Sequence, residues 1–403
     1  MKPIYKYIIG LVVIVLIIIG YVFWVNSSNI PQPSRPATTN KSSSTLPVAG
    51  VGGQADVTPI NNPTSTIKDT AFIKLSDSAV FDFWVLKDTG EIYYITTNGK
   101  VYAAKRGDDV EISNQTVSAL NTIDPSLDGK RALVSFGDPN NPQWGIFDVV
   151  DKTWRPLPSD ILQASWGADG DQLIATTRDG GGVKLSFVDL KKTPFEFTTI
   201  LRGFNLSDTL IKFEAPQTIF VTEKPSYSYS GRFWKLNTKT LDFNLLLEPQ
   251  RGLWIRWNKE NNAVFKFFPE NNTSFVSDQN NNNEQKLPFI ALPSKCSLQG
   301  NVVFCFVPEN IPLDKSFSSM ILPDDYLKLK TYTIDDVRSY DINTKEIGAP
   351  FNNSPQTPFF VDGKNPEINN NALYFINKFD GMVYSADLPA IHQNEASTST
   401  PSQ

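Results

Sequence analysis

Beyond residue 70 the chain consists of short runs in which bulky apolar residues alternate with small or polar ones, separated by clusters of Asn, Asp and Gly. The clearest run spans Asn371 to Leu388. Ala372-Leu373-Tyr374-Phe375-Ile376-Asn377 alternates, Phe379-Asp380-Gly381 turns the chain, and Met382-Val383-Tyr384-Ser385-Ala386-Asp387-Leu388 alternates again. Period-two alternation on both sides of a Gly-containing turn predicts a β-hairpin. Glu91-Ile92-Tyr93-Tyr94-Ile95, the turn Asn98-Gly99 and Lys100-Val101-Tyr102-Ala103-Ala104-Lys105 predict a second hairpin of the same kind.

Weaker copies recur between these two. Aligning the last position of the hairpin selects Lys105, Asp148, Asp189, Lys235, Asp278, Asp341 and Asp387, at intervals of 43, 41, 46, 43, 63 and 46 residues. A repeat of about 40–50 residues made only of short strands is the period of a β-propeller blade, and seven anchors predict seven blades over residues 70–388. A sandwich also has short strands with regular turns, but it does not repeat a four-strand unit at such a period. The fold class expected is therefore all-β, a seven-bladed propeller. Its ring should close by pairing Ala71-Phe72-Ile73-Lys74-Leu75 with the last blade, which otherwise lacks an outer strand and leaves two open edges.

The turns between the first two strands of blades two and three are Ser126-Leu127-Asp128-Gly129-Lys130 and Ala168-Asp169-Gly170-Asp171. They resemble the Ser-Pro-Asp-Gly-Lys turn of the WD40-like repeat in TolB-type propellers. Leu127 and Ala168 stand where that family has proline, and Asn258-Lys259-Glu260-Asn261 is more degenerate still. The Asp accepts hydrogen bonds from following amides and the Gly supplies positive φ, so the turn signals a fold and carries no chemistry. The resemblance implies architecture across roughly residues 71–388 and transfers no functional residue.

The first 69 residues are of another kind. Ile8 to Val25 is an unbroken apolar run of 18 residues, which rises about 27 Å as a helix and approaches the thickness of a hydrocarbon core. Lys2 and Lys6 precede it, aromatic residues flank it at Tyr5, Tyr7, Tyr21 and Trp24, and no acidic residue interrupts it. The positive-inside rule then places residues 1–7 in the cytoplasm and everything after Val25 outside. A cleaved signal would have a shorter apolar region followed by small residues, so a retained signal anchor is expected. Residues 26–69, rich in Ser, Thr, Pro, Asn and Gly, cannot bury enough apolar surface to order themselves and predict a flexible tether, with a root-mean-square span of about 35 Å. Residues 389–403 predict an unstructured tail.

Composition narrows the chemistry. Net charge is −5 with no basic run, which argues against nucleic acid as a partner. The one histidine, His392, sits in the tail and there are only two cysteines, so histidine-dependent triads and the usual zinc sites are excluded and no cofactor or metal is expected. Asn-x-Ser/Thr matches at Asn114, Asn205 and Asn272 reflect abundant Asn in turns. Cys296 and Cys305 flank a candidate two-residue turn, Gly300-Asn301, that makes them direct partners at a non-hydrogen-bonded position. There Cα atoms lie about 4.5 Å apart, and a disulfide is expected.

The 63-residue interval exceeds its neighbours, so an insertion is expected from Pro308 to Asp336, between the second and third strands of blade six. It carries Asp324, Asp325, Tyr326, Asp335 and Asp336. In a propeller such a connection shares a face with the crossovers between blades, and the same face should receive the loop Ser226-Tyr227-Ser228-Tyr229-Ser230. Tyr227 and Tyr229 with these acidic residues and Tyr326 are the candidate binding residues for a protein or an envelope glycan. Their acidic pairs also have the oxygen chemistry to hold calcium. Pro323-Asp324-Asp325-Tyr326 resembles a stretch of membrane-anchored bacterial propellers, which agrees with the architecture and supplies no role. The leading functional reading is a membrane-tethered extracytoplasmic binding or scaffolding module. The rival is a carboxylate-dependent glycoside hydrolase or lyase using Asp82, Asp124 and Glu214, with Arg256, on innermost strands around the channel.

Overall fold

The computed structural model describes residues 72–389 apart from 114, 168–169, 207–208, 215–216, 259–261, 310, 312–319 and 352–359. The expected helix at 8–25, the tether at 26–69 and the tail after 389 lie outside these residues. Among the described residues no helix is long and apolar enough to cross a membrane.

Seven four-stranded antiparallel sheets follow one another in chain order, each a meander. The hairpins expected from the alternation are the second and third strands of blade one, Ile92–Thr96 and Val101–Ala103, and of blade seven, Ala372–Asn377 and Met382–Asp387. Alternation arises because successive side chains point to opposite faces of a sheet, and here both faces are covered by neighbouring blades. One core cluster joins Leu133, Trp144 and Ile146 of blade two to Ile161, Leu173 and Val188 of blade three. Burial at each blade-to-blade contact, rather than one central core, accounts for the aromatic content of the repeats.

Ring closure is as expected. Ile73–Lys74 forms the outer strand of blade seven, with Ile73 opposite Ser385 and Lys74 opposite Tyr384. Phe72 packs edge-on against Phe375, with ring centroids 5.3 Å apart, and against Phe351 at 5.4 Å. Leu75 is buried, and the Ser76 hydroxyl accepts a hydrogen bond from the Val383 amide at 2.9 Å.

The recurrent Asp of the repeat has a local role. Asp148 Oδ1 accepts from the amides of Val150 and Asp151, Asp189 from Lys191, Asp278 from Asn280 and Asn282, and Asp341 from Asn343 and Thr344. Each carboxylate closes the turn from third to outer strand. In blade four this position is held by Asn237, which accepts from the amides of Lys239 and Thr240, and not by Lys235 two residues earlier. The turn after the first strand of blade two also behaves as expected. Asp128 Oδ1 accepts from the Lys130 amide and the Ser126 hydroxyl, and Gly129 takes φ +76°. A Cβ on Gly129 would sit 2.1 Å from the Val85 carbonyl oxygen of blade one.

Cys296 and Cys305 are register partners joined by a disulfide, with Cα atoms 4.2 Å apart. The blade-six insertion is shorter than the spacing suggested. The second and third strands run Val302–Pro308 and Asp335–Asp341, with Pro308 opposite Asp335 and Val307 opposite Asp336. Pro308, Asp335 and Asp336 thus belong to strands, and the connection between them contains the short helix Asp324–Leu327.

Candidate functional site

In a meander of four strands the second-to-third connection and the crossover to the next blade emerge on one face; the other two connections emerge on the opposite face. The blade-six insertion, the blade-four loop and the blade-seven loop at Lys378 to Gly381 therefore share the crossover face. The chain enters at Phe72 and leaves at Leu388 on the opposite face, where the Leu388 amide donates to the Asn371 carbonyl oxygen.

The insertion is fastened to its surroundings at two points. Asp324 Oδ1 accepts from the Tyr227 amide at 2.7 Å and Oδ2 pairs with Lys328 Nζ at 3.1 Å. Burial by itself would raise the Asp324 carboxyl, but the Tyr227 amide and Lys328 outweigh it and hold it below the ordinary carboxylate value. Asp325 accepts from the Ile321 amide at 2.8 Å, closing the start of the helix. Tyr227 lies under the Arg251 guanidinium, 4.3 Å from ring centroid to Cζ, whereas Tyr229 is exposed.

The second point is a buried charge cluster. Lys295 Nζ contacts Asp335 Oδ2 at 2.5 Å, Asp362 Oδ1 at 2.6 Å and the Gly363 carbonyl oxygen at 3.0 Å. Lys378 pairs with Asp362 at 3.2 Å and lies over the Tyr326 ring at 3.6 Å. The Tyr326 hydroxyl and the amide and hydroxyl of Thr333 donate to Asp362. Two cations and two carboxylates balance, as burial requires. Burial pushes Asp335 up, with Asp362 adding to it against Lys295. It would do the same to Asp362, but Lys295, Thr333 and Lys378 prevail and hold Asp362 below its ordinary value. Burial drives Lys378 down against the opposing pull of Asp362.

Of the sequence-predicted residues, the structure brings Tyr227 and Asp324 together and turns Tyr326 and Asp335 inward, where they hold the insertion. Asp336 pairs with Arg338 at 2.6 Å. Among the described residues no three acidic, histidine or cysteine side chains gather as a metal site. Lys295, Asp362 and Lys378 were not legible, because each lies in a connection without periodic neighbours.

The crossover face also exposes apolar side chains. Large hydrophobics exposed in connections on this face number eight among the described residues, against three on the opposite face. Ile321, Leu327, Leu329, Tyr332 and Ile334 come from the insertion, and Leu329 is 62% exposed. Tyr332 stacks on Phe379 of the blade-seven loop with centroids 5.5 Å apart, so the patch continues from one blade to the next.

The central channel is a cavity of about 740 Å³ lined from all seven blades. Asp82, Asp124 and Arg256 line it as expected; Glu214 ends the innermost strand Thr209–Glu214 of blade four. Glu367 and Lys212 also line it. In blades one, two, three and seven the innermost strand carries a bulge, and the residues just beyond are Asp82, Thr122, Gln163 and Glu367, all on the channel. A bulge re-aims the following side chain, which is why strict alternation did not reveal Glu367. Asn365 donates to Asp82 Oδ1 at 3.0 Å, Lys87 lies 3.7 Å from Glu367, and Arg256 donates to the Cys296 carbonyl oxygen at 3.3 Å.

Comparison with known families and with curated protein sequences returns no match. Among solved structures the chain is similar to an oligogalacturonate lyase from Vibrio parahaemolyticus, at 12% identity and TM-score 0.50, over 79% of this chain and 91% of that one. It is also similar to the β-propeller domain of Swd1 from Myceliophteria thermophila, at 8% identity and TM-score 0.49, over 79% of this chain and 100% of that domain. The tricorn protease matches at 10% identity and TM-score 0.48 over 81% of this chain, which spans about a third (34%) of that protein. At such identities the likeness concerns the fold alone, a seven-bladed propeller seen in enzymes and in other proteins.

Proposed function

We propose that the chain is a membrane-tethered, extracytoplasmic binding or scaffolding module, a propeller of the TolB-like, WD40-like repeat type, that takes a protein or a cell-envelope polymer on its crossover face. The single observation that carries this reading is the fastened insertion with its exposed apolar side chains. Leu329 and Tyr332, with Phe379 of the blade-seven loop stacked on Tyr332, expose apolar area of the kind that marks interaction sites, and the Asp324 and Tyr326 anchors limit the ordering the insertion must undergo on binding. The apolar run Ile8 to Val25 supports the anchor.

The test is crosslinking of the full-length chain in its native membrane, with the partner identified and recaptured by purified protein. Leu329→Asp, Tyr332→Asp and Phe379→Asp are expected to abolish recapture, whereas Val150→Asp and Leu241→Asp on the opposite face preserve it. Equal loss in both sets, or in neither, would overturn the reading. The hydrolase or lyase reading has one observation in its favour, the presence of Asp82, Asp124 and Glu367 around a single cavity. It requires turnover of an envelope glycan that Asp82→Asn or Glu367→Gln removes.

A further inference from the structure

The charged side chains of the channel are largely sorted by blade. Asp82, Asp124 and Glu367 stand on blades one, two and seven, with one cation among them, Lys87 of blade one, 3.7 Å from Glu367; Lys212, Lys224 and Arg256 stand on blades four and five. In a seven-membered ring blades seven, one and two are consecutive and centred on blade one, and blades four and five are the pair opposite. Gln163 of blade three and Ser297 of blade six are neutral and separate the two walls. Three carboxylates against one ammonium leave the channel net acidic along one side, and the other side carries only cations.

We propose that the channel is a binding site for a zwitterionic small molecule, a short peptide with free ends, whose ammonium faces Asp82 and Glu367 and whose carboxylate faces Arg256 and Lys212. The cavity lies within the size range of small-molecule sites, and an extended peptide of a few residues spans about 3.3–3.6 Å per residue. A guanidinium is the side chain best shaped for a carboxylate, and a carboxylate accepts from an ammonium. The acidic wall is held in place, since Asn365 donates to Asp82 and the bulges aim Asp82 and Glu367 inward. The basic wall rests on unbulged strands, in which Lys212 pairs in register with Phe220 and Arg256 with Phe265. Burial pulls the Arg256 guanidinium down, and Glu367 and Asp82 oppose this through space. A ligand with one charge of each sign satisfies both walls. A dianion meets three carboxylates, and an uncharged saccharide offers no charge to either wall.

The experiment is calorimetric titration of detergent-solubilised full-length protein with triglycine, N-acetyl-triglycine, triglycine amide, succinate and maltotriose. Saturable triglycine binding is expected, weakened at least tenfold by blocking either end, with succinate and maltotriose silent. Asp82→Asn should weaken triglycine at least tenfold while leaving N-acetyl-triglycine unaffected, and Arg256→Gln should do the same with triglycine amide as the unaffected ligand. Thermal unfolding checks each variant, and Glu367→Gln and Lys212→Gln replace any variant that fails to fold. No saturable triglycine binding, equal binding of blocked peptides, or preferential binding of maltotriose would overturn the proposal. Leu329→Asp on the crossover face should leave the titration unchanged, so this site and the partner surface fail or stand separately.

Discussion

The backbone amide of Tyr227 in blade four donates to Oδ1 of Asp324 in the blade-six insertion, 97 residues later, at 2.7 Å. One half-buried carboxylate therefore ties together the two loops that the crossover face presents. Asp324→Ala should cost about 1.5–3 kcal/mol, the range for a hydrogen bond to a charged group, and should speed amide hydrogen exchange across residues 321–330. The folded carboxyl is held below its unfolded value, so this stabilisation is fully present above the unfolded value and is lost as pH falls through the folded one. Protection of the segment should decline over that acidic window in the native chain and decline less in Asp324→Ala, where only the Asp362 anchor remains to titrate.

Removal of Lys295 should be the most damaging single change to the insertion. Lys295→Met leaves Asp335 and Asp362 buried with one cation, Lys378, and breaking a buried pair typically costs about 3–5 kcal/mol. Denaturant unfolding should show a correspondingly lower midpoint. A midpoint within error of the native chain would refute the structural role of the cluster.

Replacing both Cys296 and Cys305 by Ala should lower stability by about 2–3 kcal/mol, the entropic value for a loop of about ten residues. Protein from its native cell, denatured without reductant, should show no reactive thiols. Two labelled cysteines would contradict the bridge.

Deletion of residues 70–76 removes the outer strand of blade seven, the Phe72 contacts with Phe375 and Phe351, and the buried Leu75. The midpoint of thermal unfolding should fall, and the exposed edges should promote aggregation. Phe72→Ala isolates the packing part, at roughly 3 kcal/mol. Unchanged unfolding in the deletion would mean that the ring does not depend on this closure.

What the amino-acid order determined by itself was local or periodic. Alternation gave the hairpins, because side-chain direction in a strand has period two. The recurrent Asp announced the blade period, because its carboxylate closes a turn through amides only two to four residues away. The disulfide followed from counting outward from Gly300-Asn301, and the closing strand from a blade lacking one. In blade four the amide oxygen of Asn237 closes that turn in place of a carboxylate, so a period sought in Asp selects Lys235 two residues too early. The tertiary structure alone decided which distant charges meet. Lys295, Asp335, Asp362 and Lys378 come from four connections or strand ends, and nothing within a few residues of any of them marks it as buried. Tyr326 and Asp335 appeared in the sequence as surface candidates beside Asp324 and Asp336, but packing turned them inward. The acidic and basic walls of the channel likewise depend on how seven blades are ordered around a ring and on the bulge that shifts Glu367 out of strict alternation.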